Sequence, residues 1–343
     1  MPEPIIFHLG FPKTGTTTLQ NRVFAELKGL HYIGRAKEEY QPKLYHQQTD
    51  FLHQLYLDLY FTKGNPEAYR KRLHEIAQKD PAASSYFISD EMLSSIFFMP
   101  LPLSTPVRQK TRSQTGKRAL NDLFAELNRL FPRATFSLKI VYVVRNQSEL
   151  FFSLFAENYG AFARQGERSL ASFVDRTLRD PVRHTAFNYY ELFTELQSVY
   201  GKENFLIYPF ESLTQNPKAF FERLLDFTGA RGNPESMAAN FKSKSLNQRA
   251  KQMNVKIASP YRSTPIPYWA QDLRKNTKNI PGINKLVNQI VLPPIKDWHQ
   301  KRRQKTFSIE RSPSLDQKVR SFYRKSNLLF QKAYGETLPE DYF

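Results

Sequence analysis

A chain of 343 residues is long enough to bury a substantial core, and with no cysteine it can form no disulfide, thiolate metal site or cysteine nucleophile. Hydrophobic residues at 40% and aromatics at 14% exclude a disordered chain and indicate an enzyme-sized globule. The formal net charge of +18 is concentrated, because residues 242–325 carry 20 Lys and Arg against 4 Asp and Glu. Such a stretch predicts either a solvated surface or one that gathers anions: phosphates, sulfated or carboxylated glycans, anionic lipid or nucleic acid.

In chain order, the apolar run 5–10 (IIFHLG) predicts a strand that leads into a turn rich in Gly, Pro and Thr. A helix is expected over 16–28, where Leu19, Val23 and Leu27 recur four apart. Strand, glycine loop and helix together make a phosphate cradle, since loop N–H groups converge on one point. Further strands are expected at 85–91, 136–145 and 204–213, each a short β-branched or aromatic run. Helices are expected at 66–79, 116–130, 147–159, 169–178, 185–200, 216–228 and 313–334; Asn216, Pro217 and Gly229 mark the ends of one of them. Alternating strands and helices predict a three-layer α/β fold, a central parallel sheet flanked by helices, of the P-loop nucleoside-triphosphate-hydrolase-like kind. One domain is expected over 1–343, with insertions at about 30–80 and 95–130 and the basic region at about 242–325. The first residues lack the basic and apolar regions of a signal peptide, and no apolar run approaches the ~20 residues of a spanning helix. A cytoplasmic protein is therefore expected.

The loop departs from the magnesium-nucleotide pattern G-x-x-x-x-G-K-[ST]: Gly10 and Gly15 have the spacing, but Thr16 follows and the lysine stands inside, at Lys13. The best later strand ends in Arg145 and not in a metal-holding acid. Pro12-Lys13-Thr14-Gly15-Thr16-Thr17 after a strand resembles the 5′-phosphosulfate loop of the sulfotransferases, which move a sulfuryl group from 3′-phosphoadenosine 5′-phosphosulfate (PAPS) to a hydroxyl or amine. That family's 3′-phosphate motif is a strand ending in Arg with a Ser eight residues on, and VYVVRNQSELFFSLF offers Arg145 and Ser153 at that spacing. FLIYPFESLTQNPKAFFERLLDFTG and SPSLDQKVRSFYRKSNLLFQKAYG resemble the family's later strand and helix and its closing helix.

The resemblance implies PAPS as co-substrate, the 3′,5′-bisphosphate PAP as product, and no required metal. Thr14, Thr16, Thr17 and Thr18 hydroxyls and the loop amides would serve the 5′ end, and Arg145 with Ser153 the 3′-phosphate. Lys13 would meet the charge on the leaving oxygen. The base of the family's small-molecule enzymes is His, and that of several glycan enzymes is Glu; Glu91, or else Asp90, stands at the strand end where α/β ligands bind. One of the pair could instead cap the following helix. Lys244, Asn247 and Arg249 fall where the family often closes a loop over the nucleotide. His8 is expected as a core residue, and His46 and His53 lack metal-ligand partners at helical spacing.

A saccharide or glycolipid hydroxyl is the expected acceptor, with an anionic membrane surface as a further partner for the basic region, including at the inner membrane face; nucleic acid is not expected. Residues 283–298 carry an apolar stripe flanked by Lys that suits such a surface or packing on the domain. Two other readings are a kinase-like enzyme using ATP and magnesium, and a non-catalytic basic binder of polyanions.

Overall fold

The run Ile5, Ile6, Phe7 and Leu9 is wholly buried because it forms the central strand of a sheet covered on both faces. The computed structural model describes residues 2–34, 42–78, 82–95, 120–164, 166–242, 254–258, 286–295 and 306–343. Its main sheet holds β1 (Glu3–Gly10), β2 (Leu30–Gly34), β3 (Ser85–Ser89), β4 (Phe136–Val144) and β5 (Phe205–Pro209) in the order β2-β3-β1-β4-β5. Every pairing is parallel, with Ile6 beside Phe87 on one side and Lys139 on the other. From β1 the chain runs outward to β2, while from β4 it runs the opposite way to β5. The crevice beyond the carboxyl ends of β1 and β4 is therefore a topological switch point, where α/β sheets bind ligands.

Alternation along β1 sends neighbouring side chains to opposite layers. Ile6 faces Leu19, Val23 and Phe24, and in that same cluster lie Phe220, Phe221 and Leu224 of the helix Pro217–Thr228 and Phe241 of the helix Pro234–Lys242. Phe7 meets the Phe131 ring edge-on at 5.1 Å, and Phe205 of β5 lies 5.7 Å from Phe193 and 5.8 Å from Tyr334. The second layer is thus built by the helices Leu120–Leu130, Tyr189–Tyr200 and Pro313–Tyr334.

The chain divides into two compact units, the sheet unit of 1–151, 176–248 and 317–343, and a second of 152–175 and 249–316. In the second unit Phe162 lies 4.5 Å from Phe173 and 5.9 Å from Phe155, β6 (Asn254–Ala258) pairs antiparallel with β7 (Thr306–Glu310), and Arg311 binds Asp316 at 2.9 Å. In 286–295 Val287 and Leu292 are buried while Leu286 and Ile290 are exposed.

Several boundaries differ from the sequence reading. The edge strand β2 and the helix Pro42–Phe61 occupy the stretch read as an insertion at 30–80. The first helix, α1 (Thr16–Arg22), stops early and passes into a single 3-10 turn at Phe24–Glu26. β5 ends at Pro209, where Phe210–Gln215 turns into helix, because Pro209 has no N–H with which to extend the ladder. Among the described residues no helix is long and apolar enough to cross a membrane.

Candidate active site

The loop after β1 is held by its own backbone. Gly10 and Gly15 take φ of +106° and +76°, and Lys13 itself is left-handed at φ 69°. Such a conformation is uncommon for a residue with a Cβ and costs roughly 1–3 kcal/mol, so surrounding contacts must fix it. They do: Phe11 N–H donates to Val143 O at 2.8 Å, and the Thr14 hydroxyl donates to Phe11 O at 2.5 Å. The Phe11 ring, fully buried, packs 5.5 Å from Tyr142 and 6.1 Å from Tyr189. A Cβ on Gly10 would stand 3.1 Å from Glu91 Cβ, and one on Gly15 would stand 3.0 Å from Phe210 Cε2. Pro12, Thr14, Thr16 and Thr18 are buried, Lys13 and Gly15 are half-buried, and Thr17 is exposed.

Arg145 follows β4 and reaches across to this loop. Its Nη1 donates to the Lys13 carbonyl at 2.8 Å, its guanidinium lies 5.2 Å from the centre of the Phe210 ring, and Nη2 stands 3.6 Å from a Glu149 oxygen. The Tyr189 hydroxyl donates to Arg145 O and accepts from Arg145 N–H at 3.3 Å, which pins the backbone there. Burial pushes the Tyr189 proton well above its ordinary range, so it stays a donor.

Behind Arg145 lies a buried polar brace that sequence reasoning missed. Glu211 accepts from the Asn146 N–H at 3.2 Å and from the Tyr342 hydroxyl at 2.5 Å. Asn146 Oδ1 in turn accepts from Ser148 N at 3.0 Å and Glu149 N at 3.2 Å, capping the helix Gln147–Arg164. Burial raises the Glu211 carboxyl above its ordinary pKa, against the pull of those two donors and the Arg145 charge. Tyr342→Phe is expected to destabilise the protein by about 1–2 kcal/mol, read as a lower urea midpoint, because a half-buried carboxylate oxygen loses its donor. An unchanged midpoint would mean that the brace is idle.

On the other flank, β3 ends at Ser89, and Asp90 and Glu91 follow it. Asp90 is buried and its N–H donates to His8 O at 3.2 Å, while Glu91 is half-buried beside Gly10. Gln20 of α1 donates from Nε2 to Glu91 Oε2 at 3.1 Å. His8 Nδ1 shares a hydrogen bond of 2.8 Å with Ser89 Oγ, and its ring meets Phe24 edge-on at 5.0 Å. Burial lowers the His8 pKa to about 3, so the folded chain holds it neutral.

Because the unfolded chain protonates this imidazole near pH 6.5, stability present above that pH is lost as pH falls towards 3. At pH 5 the loss from His8 alone is about 2 kcal/mol. Calorimetric melting at pH 7 and pH 5 should show a larger drop for the wild type than for His8→Leu, whereas equal drops would contradict the account.

Ser153 stands half-buried on the helix Gln147–Arg164, in the second unit. Lys244, Asn247 and Arg249 lie outside the described residues. Among the described residues no group of His, Asp and Glu could hold a metal ion.

A glycine loop bearing a cation, a second cation tied to it, and a carboxylate on its opposite side are the parts of a group-transfer site for an anionic donor. The family model of the sulfotransferase domain matches residues 3–275. The chain belongs to the sulfotransferase domain family. No curated protein matches this sulfotransferase. Solved structures similar to it include two other sulfotransferases. A sulfotransferase from Alicyclobacillus acidocaldarius is 12% identical over 98% of each chain, with a TM-score of 0.47. The sulfotransferase domain of the Synechococcus PCC 7002 olefin synthase is 15% identical over 98% of this chain and 96% of that one, with a TM-score of 0.37. The kinase-like and the non-catalytic readings of the sequence both yield to the family match.

Proposed function

We propose that this sulfotransferase takes PAPS as donor and a saccharide or glycolipid hydroxyl as acceptor. The observation that carries the proposal is the 2.8 Å bond from Arg145 to the Lys13 carbonyl, which joins the loop to the cation at the end of β4. Two sites for two anionic ends of one nucleotide are what PAPS requires. The loop suits the close approach of an anion, since its two glycines leave out Cβ atoms that would crowd Glu91 and Phe210.

PAPS would supply the sulfuryl group and a good leaving group, so the protein's work is positioning and charge. The loop N–H groups with Thr16, Thr17 and Thr18 would hold the 5′ end. Thr14 would serve the same end, and its hydroxyl also ties the loop through Phe11 O. Arg145 would hold the 3′-phosphate, with Ser153, Lys244, Asn247 and Arg249 as further donors. Lys13 supplies positive charge to the oxygen that departs. Glu91, with Asp90 as the second candidate, takes the proton from the acceptor hydroxyl. No step in this scheme calls on a metal.

What supports a saccharide is the carboxylate base, the choice of several glycan enzymes in the family, and the charge excess of 242–325, which suits an anionic glycan or an anionic membrane face in the cytoplasm. Sulfur-labelled PAPS offered with neutral sugars, acidic glycans, glycolipids and simple phenols tests it. Label on a sugar hydroxyl is the expected result; label on phenols alone would overturn the acceptor class.

A further inference from the structure

We propose that Gln20 is the positioning residue of the base: its side-chain amide ties Glu91 to the helix that continues the loop and holds the carboxylate beside Gly10. This rests on Glu91 acting as the base in the reading above. Gln20 sits on α1, in the same continuous stretch as Lys13 and Thr16 to Thr18, and is 2% exposed, so water does not compete for its amide. Its Nε2 lies 3.1 Å from Glu91 Oε2, 3.1 Å from Ser89 O and 3.3 Å from Ser89 Oγ. One uncharged amide therefore bridges the end of β3 and the carboxylate that follows it. The backbone of Gln20 is held as well, since the Tyr32 hydroxyl donates to its carbonyl at 3.2 Å.

The chemistry suits an amide better than any alternative at this position. A lysine would add a charge that needs hydration in a buried place, a glutamate would repel Glu91, and an apolar side chain would leave Ser89 O and Glu91 with one donor fewer. Asp90 is a like charge, His8 is neutral and engaged with Ser89, and the Tyr32 hydroxyl donates to Gln20 O. A displacement of about 1 Å in a catalytic group can reduce the rate about a hundredfold, so a tether from loop helix to base has a direct kinetic consequence.

The test is a double-mutant cycle on the full chain with Gln20→Met, Glu91→Gln and both together, read in two ways. In kinetics, with the acceptor that the panel identifies, Gln20→Met should lower kcat on the order of tenfold to a hundredfold. The KM for PAPS and the thermal shift given by PAP should be kept. Added to Glu91→Gln, Gln20→Met should cost nothing further, because a residue that acts only through Glu91 has nothing left to position. In urea unfolding, which needs no acceptor, the midpoint losses of the two single variants should sum to more than the loss of the double variant. Multiplying kinetic losses, or additive midpoints, would overturn the proposal. Full activity of Glu91→Gln would instead remove Glu91 as the base, a different failure. Should Gln20→Met not fold, Gln20→Ala, which removes the amide without adding a charge, gives the same cycle.

Discussion

Lys13→Ala is expected to lower kcat by about a hundredfold to a thousandfold while leaving the affinity for PAP within a few fold. Removing one donor that meets developing charge costs about 2.7–4 kcal/mol in the transition state, and little of that is felt by the bound product. The structure makes the separation credible, because the tie from Arg145 to the loop uses the Lys13 carbonyl and not its side chain. Alanine at 13 keeps that carbonyl and must take the same left-handed backbone at φ 69°, so the loop shape is retained at a similar strain. Single-turnover transfer from PAPS together with PAP calorimetry would measure both quantities. A parallel fall in rate and PAP affinity would show that Lys13 binds the ground state instead.

Arg145→Ala should behave in the opposite way and weaken PAP binding by about tenfold to a hundredfold, the worth of hydrogen bonds to a charged group. Turnover should fall with it, since the same substitution removes the donor to Lys13 O and the guanidinium from beside the Phe210 ring. Arg145→Lys keeps the charge without the planar fork and should recover only part of the affinity. PAP titrations of the three proteins decide the matter, and an Arg145→Ala protein that binds PAP as the wild type does would remove Arg145 from the site.

The opposite responses expected at 13 and 145 also explain what could be read from the sequence. Four of the five main strands are near-continuous apolar runs, because parallel strands covered by helices on both faces need apolar side chains on each. The fifth, LHYIG, is an edge strand in which His31 and Gly34 break the apolar run that marks the others. The loop was legible because backbone that turns at positive φ leaves glycines behind, and Lys13 stands between two of them. The supporting residues were not. Gln20 and Glu91 are 71 residues apart, Asn146 and Glu211 are 65, and Glu211 and Tyr342 are 131. No local pattern connects groups that meet only after the sheet has formed. Thr14 carries a tie that its motif does not announce, since its hydroxyl donates to Phe11 O.

The central claim, that the loop after β1 and Arg145 together hold a bisphosphate nucleotide, is tested most directly by thermal melting with PAP in EDTA against ATP with magnesium. At a hundred times its dissociation constant a ligand stabilises by about 2.7 kcal/mol, a readable rise in Tm. The account predicts that PAP raises the Tm of the wild type without metal and raises that of Arg145→Ala by much less at the same concentration, for a stabilisation of only about 0.4–1.4 kcal/mol. Stabilisation by ATP with magnesium and none by PAP would contradict it.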